Sequence, residues 1–202
     1  MRKFLAVAML AAALGMNTVA RAEGSAEAGR GKSAVCAACH GPDGNSANPE
    51  WPSLAGQHAS YIVAQLEAFT DGRRQNPLMS PIAQPLSEED RQDLAAYYSA
   101  QTPAPREADP EDLERGRKLY VGGDLERGIT ACIACHGPTG QGNPLARYPA
   151  IAGQHASYTA ATLGHYASGA RSSDPNQIMR SIAARMSAED IRAVSNYLQG
   201  LR

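Results

Sequence analysis

One pentapeptide occurs twice and constrains the chain more than any other feature: Cys36-Ala37-Ala38-Cys39-His40 and Cys132-Ile133-Ala134-Cys135-His136. Cys-x-x-Cys-His is the attachment pattern of a c-type haem. The spacing has a chemical reason. Two thiols three residues apart can each bond one vinyl group of a single porphyrin, and the adjacent histidine then lies under the iron as an axial ligand. The two copies use all four cysteines, so the expected cofactors are two covalently bound haem c groups. Other chemistries fit less well. A four-cysteine zinc site uses Cys-x-x-Cys pairs about 15–20 residues apart, whereas 92 residues separate these pairs. A thioredoxin-like motif needs a βαβ setting that this alanine-rich chain does not offer. Structural disulfides need no histidine after each pair.

Residues 1–22 read as a secretory signal peptide. Arg2 and Lys3 form a positive start, Phe4 to Gly15 an apolar stretch, and Ala20-Arg21-Ala22 a small-x-small cleavage site. The apolar stretch is shorter than the ~20 residues that span a bilayer. No cysteine near the cleavage point offers a lipid anchor. The expected mature protein starts at Glu23 and is soluble in the periplasm, where bacteria attach c-type haem. Without Arg2, Lys3 and Arg21, sixteen bases face twenty acids. Residues 23–104 hold ten acids and five bases, and residues 105–202 ten acids and eleven bases. This balance argues against nucleic acid as a partner and predicts different docking faces on the two halves, with Glu88, Glu89 and Asp93 steering a basic partner to the first.

An internal repeat decides the architecture. Leu54-Ala55-Gly56-Gln57-His58-Ala59-Ser60-Tyr61 recurs as Ile151-Ala152-Gly153-Gln154-His155-Ala156-Ser157-Tyr158, and Leu78-Met79-Ser80-Pro81-Ile82-Ala83 as Ile178-Met179-Arg180-Ser181-Ile182-Ala183. The offset grows from 96 at the cysteines to 97 at the glutamines and 100 at the methionines, so the copies differ by small insertions. Two domains are expected, 23–101 and 110–202, joined by the proline-rich polar stretch 102–109, which reads as an extended linker. Domains this small have limited cores, and a bound haem supplies apolar interior.

The elements expected are helices and no strands, an all-α fold. A first helix runs from about Ser25 to Cys39. In the second copy it starts with Asp109 as N-cap and Pro110 at the first helical position and reaches about Tyr120, before an insertion at Gly122–Gly128. A middle helix from Ser60 to about Thr70 sets Ile62, Leu66 and Phe69 on one face, with a partner from Ser157. A last helix starts at Ser87 or Ser187, each followed by an aspartate three residues on, as in a capping box.

Each iron needs a sixth ligand or an open position. Met1, Met9 and Met16 lie in the signal peptide. Met79 and Met179 occupy equivalent places, read as loops just before the last helix. As a repeated pair they fit iron ligation better than core filling, the ordinary role of methionine. Met186 aligns with Leu86 and reads as core. His58 and His155 repeat as well and could ligate, but each lies 18–19 residues after its haem histidine and precedes a helix. A polar group near a haem edge or a helix N-terminus is the better reading for both. His165, without a counterpart, reads as surface. Histidine–methionine ligation raises the haem potential and leaves no iron site for a substrate.

Two Cys-x-x-Cys-His motifs, two repeated methionines, two Ala-Gly-Gln-x-x-x-Tyr segments and a signal peptide resemble the cytochrome c4 family over about residues 23–202. The resemblance implies two tandem class I cytochrome c domains that carry electrons in the periplasm, with the haem propionate edges facing one another. It implies that the Pro52 and Pro149 carbonyls fix the haem histidines and that Trp51 and Tyr148 stand beside the propionates. The expected function is electron carriage from a quinol-oxidising respiratory complex to a terminal oxidase or reductase, with redox proteins as partners, no small-molecule substrate, and loose membrane association through those partners. The alternatives are a haem subunit of a membrane oxidase complex and a dihaem peroxidase. The peroxidase needs one displaceable ligand, whereas a matched methionine is present for both haems.

Overall fold

The computed structural model describes residues 24–202. The signal peptide read over 1–22, and Glu23 as the first mature residue, lie outside the described residues. The first half holds α1 (Ala26–Lys32), α2 (Ala34–His40), α3 (Ala59–Thr70), α4 (Met79–Ala83) and α5 (Glu88–Ser99). The second holds α6 (Leu113–Gly122), α7 (Ile133–His136), α8 (Ala156–Ala167), α9 (Ile178–Ala183) and α10 (Ala188–Gly200). No strand occurs among the described residues. Isolated bridges pair Asp124 with Ile129 and Asn143 with Tyr148.

Three local expectations are corrected. The first helix is two helices, because the Ser33 hydroxyl bonds back to the Arg30 carbonyl at 2.9 Å and competes with the helical ladder. In the second copy the helix begins at Leu113, with Asp112 in the left-handed region at φ 60°, not at Pro110. Asp109 instead turns its side chain to the Glu111 amide at 2.9 Å, and Asn196 holds the Asp109 amide and carbonyl at 2.8 Å each. Those tertiary bonds keep 109–111 out of the helix. Met79 and Met179 lie in the first turns of α4 and α9, not in loops. Asn76 Oδ1 accepts from the amides of Leu78 and Met79 at 2.9 Å, and this cap starts α4 at the methionine.

The capping boxes of α5 and α10 are present. Ser87 and Ser187 each accept from the amide three residues on, and Asp90 and Asp190 each accept from the serine amide. In the first half α1 and α3 pack on α5; in the second α6 and α8 pack on α10. Glycine permits both crossings. A Cβ on Gly29 would lie 2.0 Å from the Asp93 carbonyl oxygen, and one on Gly116 2.2 Å from that of Ala193. Each half has its own core, Ile62, Leu94, Ala95 and Tyr98 in one and Tyr120, Leu163, Tyr166, Ala183, Val194 and Leu198 in the other. Each large side chain so buried contributes about 1.5–3 kcal/mol. Leu86 and Met186 pack against their respective cores from equivalent positions. No helix among the described residues is long and apolar enough to cross a membrane.

Candidate haem sites

Each pentapeptide ends a helix. α2 stops at His40 because Gly41 takes φ 81°, and α7 stops at His136 because Gly137 takes φ 76°, conformations that glycine adopts without a Cβ penalty. Both imidazoles are buried, 5 % exposed at His40 and 8 % at His136. His40 Nδ1 lies 2.8 Å from the Pro52 carbonyl oxygen and His136 Nδ1 3.0 Å from that of Pro149. A carbonyl only accepts, so each Nδ1 carries the hydrogen and each Nε2 keeps its lone pair. Burial lowers both pKa values, against the opposing pull of the proline carbonyls, so both rings are neutral. Neither Nε2 has a hydrogen-bond partner among the described residues.

No disulfide joins any of the four cysteines, so neither Cys-x-x-Cys pair has closed on itself. Burial raises the Cys36 thiol and pushes Cys132 up to about 11. Two unpaired thiols and a neutral imidazole with an unused lone pair are the donor set that a covalent haem requires. The Tyr98 hydroxyl, buried beside Cys36, finds no hydrogen-bond partner of good geometry among the described residues. In the second copy the corresponding tyrosine is Tyr120 from α6, whose hydroxyl donates to the Gly137 carbonyl. One tyrosine has thus changed sides of the helix pair between copies: Ser33 and Tyr98 in the first correspond to Tyr120 and Leu198 in the second. Met179, like Cys132 and Ile133, packs against the second core, of which Tyr120 is part; Met79 is half-buried. The Tyr148 ring lies 6.4 Å from that of His136, centroid to centroid.

His58 and His155 sit at the N-termini of α3 and α8. Each reaches across to the other half, His58 Nε2 to the Gln141 carbonyl at 2.7 Å and His155 Nε2 to the Ser46 carbonyl at 2.8 Å. His165 is exposed. The same crossing recurs along the junction. Arg74 Nη2 donates to the Tyr158 hydroxyl at 3.0 Å, and Arg171 Nη2 to the Tyr61 hydroxyl at 2.9 Å. Both guanidinium groups lie over rings of their own half, Phe69 at 4.5 Å and Tyr166 at 4.6 Å, a cation–π arrangement. Burial works to raise the Tyr158 phenol pKa, but the charges of Arg74 and Arg171 outweigh it and hold the pKa below its ordinary value. Arg106 adds bonds to Gly153 O at 2.6 Å and Ser53 Oγ at 2.9 Å. Motif reading missed these arginines. The signal was there: Arg74 and Arg171 share the 97-residue offset of the glutamines.

The acidic docking stretch needs correction at one position. Asp93 is 3 % exposed and accepts from Lys32 Nζ at 2.6 Å and the Ser25 amide at 2.7 Å. It ties α1 to α5 and offers no surface charge; Glu88 and Glu89 are exposed.

Comparison with known proteins points one way. A sequence profile of the cytochrome c family, "Cytochrome c", matches residues 26–100 and again 113–202. Cytochrome c4 of Thiocapsa roseopersicina is 51% identical over 180 residues, covering 88% of this chain and 93% of that one. The crystal structure of reduced recombinant cytochrome c4 from Pseudomonas stutzeri superposes with a TM-score of 0.86 at 46% identity, covering 89% of this chain and 100% of that one. A thiosulfate dehydrogenase electron acceptor of Stutzerimonas stutzeri is 42% identical over 168 residues, 81% of this chain and 77% of its own length.

Proposed function

The chain belongs to the cytochrome c4 family of two-haem electron-transfer proteins, and from that premise we propose that it carries electrons in the periplasm from a quinol-oxidising respiratory complex to a terminal oxidase or reductase. Cys36 and Cys39 would hold one haem through thioethers, and Cys132 and Cys135 the other. His40 with Met79, and His136 with Met179, would ligate the two irons. Residues 102–109 join the two domains, 23–101 and 110–202. The bound haems supply one-electron ferrous–ferric chemistry. The chain's own work is to bury the imidazoles, keep each neutral with Nδ1 donating to a proline carbonyl, and so aim Nε2 as a donor of fixed orientation. The observation that carries this reading is that pair of pinned, neutral, buried imidazoles, each following two cysteines that form no disulfide.

The test is a redox titration of the purified protein, with mass spectrometry. Two one-electron steps, a mass for residues 23–202 plus two haems, and a reduced form that hydrogen peroxide oxidises only slowly are expected. Rapid turnover of peroxide would overturn the carrier reading in favour of a dihaem peroxidase. Co-purification with a solubilised oxidase complex would favour a fixed haem subunit. A second donor is favoured by one observation, the likeness to a thiosulfate dehydrogenase electron acceptor. Thiosulfate-dependent reduction by such a dehydrogenase, faster than reduction by a quinol-oxidising complex, would support it.

A further inference from the structure

The glutamines of the repeated segments make the same pair of bonds across the junction, and their targets are not arbitrary. Gln154 Oε1 accepts from the Ser53 amide at 2.9 Å and Gln154 Nε2 donates to the Ser53 carbonyl at 3.0 Å. Gln57 Oε1 accepts from the Ala150 amide at 3.0 Å and Gln57 Nε2 donates to the Ala150 carbonyl at 2.8 Å. Ser53 and Ala150 directly follow Pro52 and Pro149. The amide that each glutamine holds is therefore the far end of the very peptide unit whose carbonyl receives the haem histidine.

A peptide group is one conjugated unit. A hydrogen bond accepted from its N–H shifts electron density toward its carbonyl oxygen, so bonds in such a chain strengthen one another. The chain runs His40 Nδ1–H to Pro52 carbonyl, through the peptide bond, then Ser53 N–H to Gln154. Its mirror runs from His136 through Pro149 and Ala150 to Gln57. Each glutamine oxygen is itself fixed, since it also accepts from the amide of the next residue, His58 at 2.9 Å or His155 at 3.1 Å. A stronger bond at Nδ1 makes an imidazole a better donor at Nε2, which favours ferric over ferrous iron.

We propose that Gln57 and Gln154 are positioning residues that act crosswise: Gln154, in the second domain, tunes the haem held by His40, and Gln57, in the first domain, tunes the haem held by His136. The proposal rests on the axial roles given above to those histidines. It makes the domain junction part of each haem's electronic surroundings, so neither potential belongs to one domain alone.

The experiment uses the two-haem protein with Gln154→Met or Gln57→Met, substitutions that keep side-chain length and remove both bonds. Each haem is followed by its own shifted methyl resonances during a redox titration, and the histidine Nδ1–H resonances are recorded in parallel. In Gln154→Met, the first-domain haem shifts toward the ferrous form by about threefold, about 28 mV at 59 mV per tenfold. The His40 Nδ1–H signal moves with it, and the second haem stays put. Gln57→Met gives the opposite assignment. Tyr158→Phe cuts the Arg74 crossing without touching either peptide unit and should move neither potential. Equal shifts at both haems, shifts in the domain that carries the substitution, or the same shift in Tyr158→Phe would overturn the proposal and leave a plain structural clamp. Failure of the ligand assignment looks different: in the unsubstituted ferric protein, the His40 and His136 protons would then lack the displacement that iron ligation causes.

Discussion

The second domain should depend on Asp190 far more than the first depends on its equivalent, Asp90. Both close a capping box at the start of the last helix. Asp90 has a side chain 29% exposed and meets one cation, Lys32 Nζ at 2.8 Å, whereas Asp190 is 1 % exposed and bound by Arg115 Nη2 at 2.7 Å and Arg127 Nη1 at 2.5 Å. Arg127 comes from the Gly122–Gly128 insertion that the first copy lacks. Asp190→Ala loses a cap, about 1 kcal/mol, and charge-assisted bonds worth about 1.5–3 kcal/mol. Arg115 and Arg127 are 43% and 41% exposed in their side chains, so water takes them back and the larger cost of a stranded buried charge is avoided. The total is about 3 kcal/mol, a fall of about 6–12 °C in Tm for a chain of this length. The assay is thermal unfolding followed by helical circular dichroism. Burial works to raise the Asp190 pKa, but the Arg127, Ser187 and Arg115 hydrogen bonds outweigh it and hold the carboxyl far below its usual range. A depressed carboxylate contributes stability that is complete above its unfolded pKa, about 3.9, and lost as pH falls below that. The loss of Tm between pH 5 and 3 should therefore be shallower in Asp190→Ala than in the parent. Equal destabilisation by Asp90→Ala and Asp190→Ala, or an unchanged acid limb, would refute the reasoning.

Met79→His should lower the potential of the first haem and Met179→His that of the second, because an imidazole stabilises ferric iron better than a thioether. Met186→Leu should leave both unchanged, read by redox titration. Gly29→Ala and Gly116→Ala should each cost about 1–3 kcal/mol through overpacking at a helix crossing, measured by denaturant unfolding, whereas Gly31→Ala, with open space around its Cβ position, should not destabilise. Reduction or oxidation by a basic partner should slow as salt rises, with a shallower slope in the Glu88→Gln, Glu89→Gln double variant, since exposed charges are screened beyond about 8 Å at physiological ionic strength.

What the sequence made legible was what neighbouring residues decide. Ser87 with Asp90, and Ser187 with Asp190, form capping boxes because all the atoms involved lie within one turn. Asp109-Pro110 carries an equally good start signal and fails, because Asn196, far along the chain, takes both backbone groups of Asp109. The methionines have the proline and polar neighbours of loop residues, yet the Asn76 side chain caps the amides of Leu78 and Met79 and starts a helix there. The glutamine and arginine crossings connect residues 84 to 110 positions apart. The repeat displayed those side chains twice, but only the folded chain says what each one touches.

The junction also separates positions where the two copies match from positions where they differ. Arg74 and Arg171 converge on one acceptor, Gln65 Oε1, at 2.9 and 2.6 Å. The equivalent position in the second copy holds Thr162. Where each side chain finds its partner in the opposite copy, as at positions 57 and 154, 61 and 158, or 74 and 171, the two copies hold the same residue. At a meeting point that needs a single acceptor, one copy supplies it and the other holds a different side chain. A substitution on this face of either half is therefore felt first in its twin, whose side chain loses the partner.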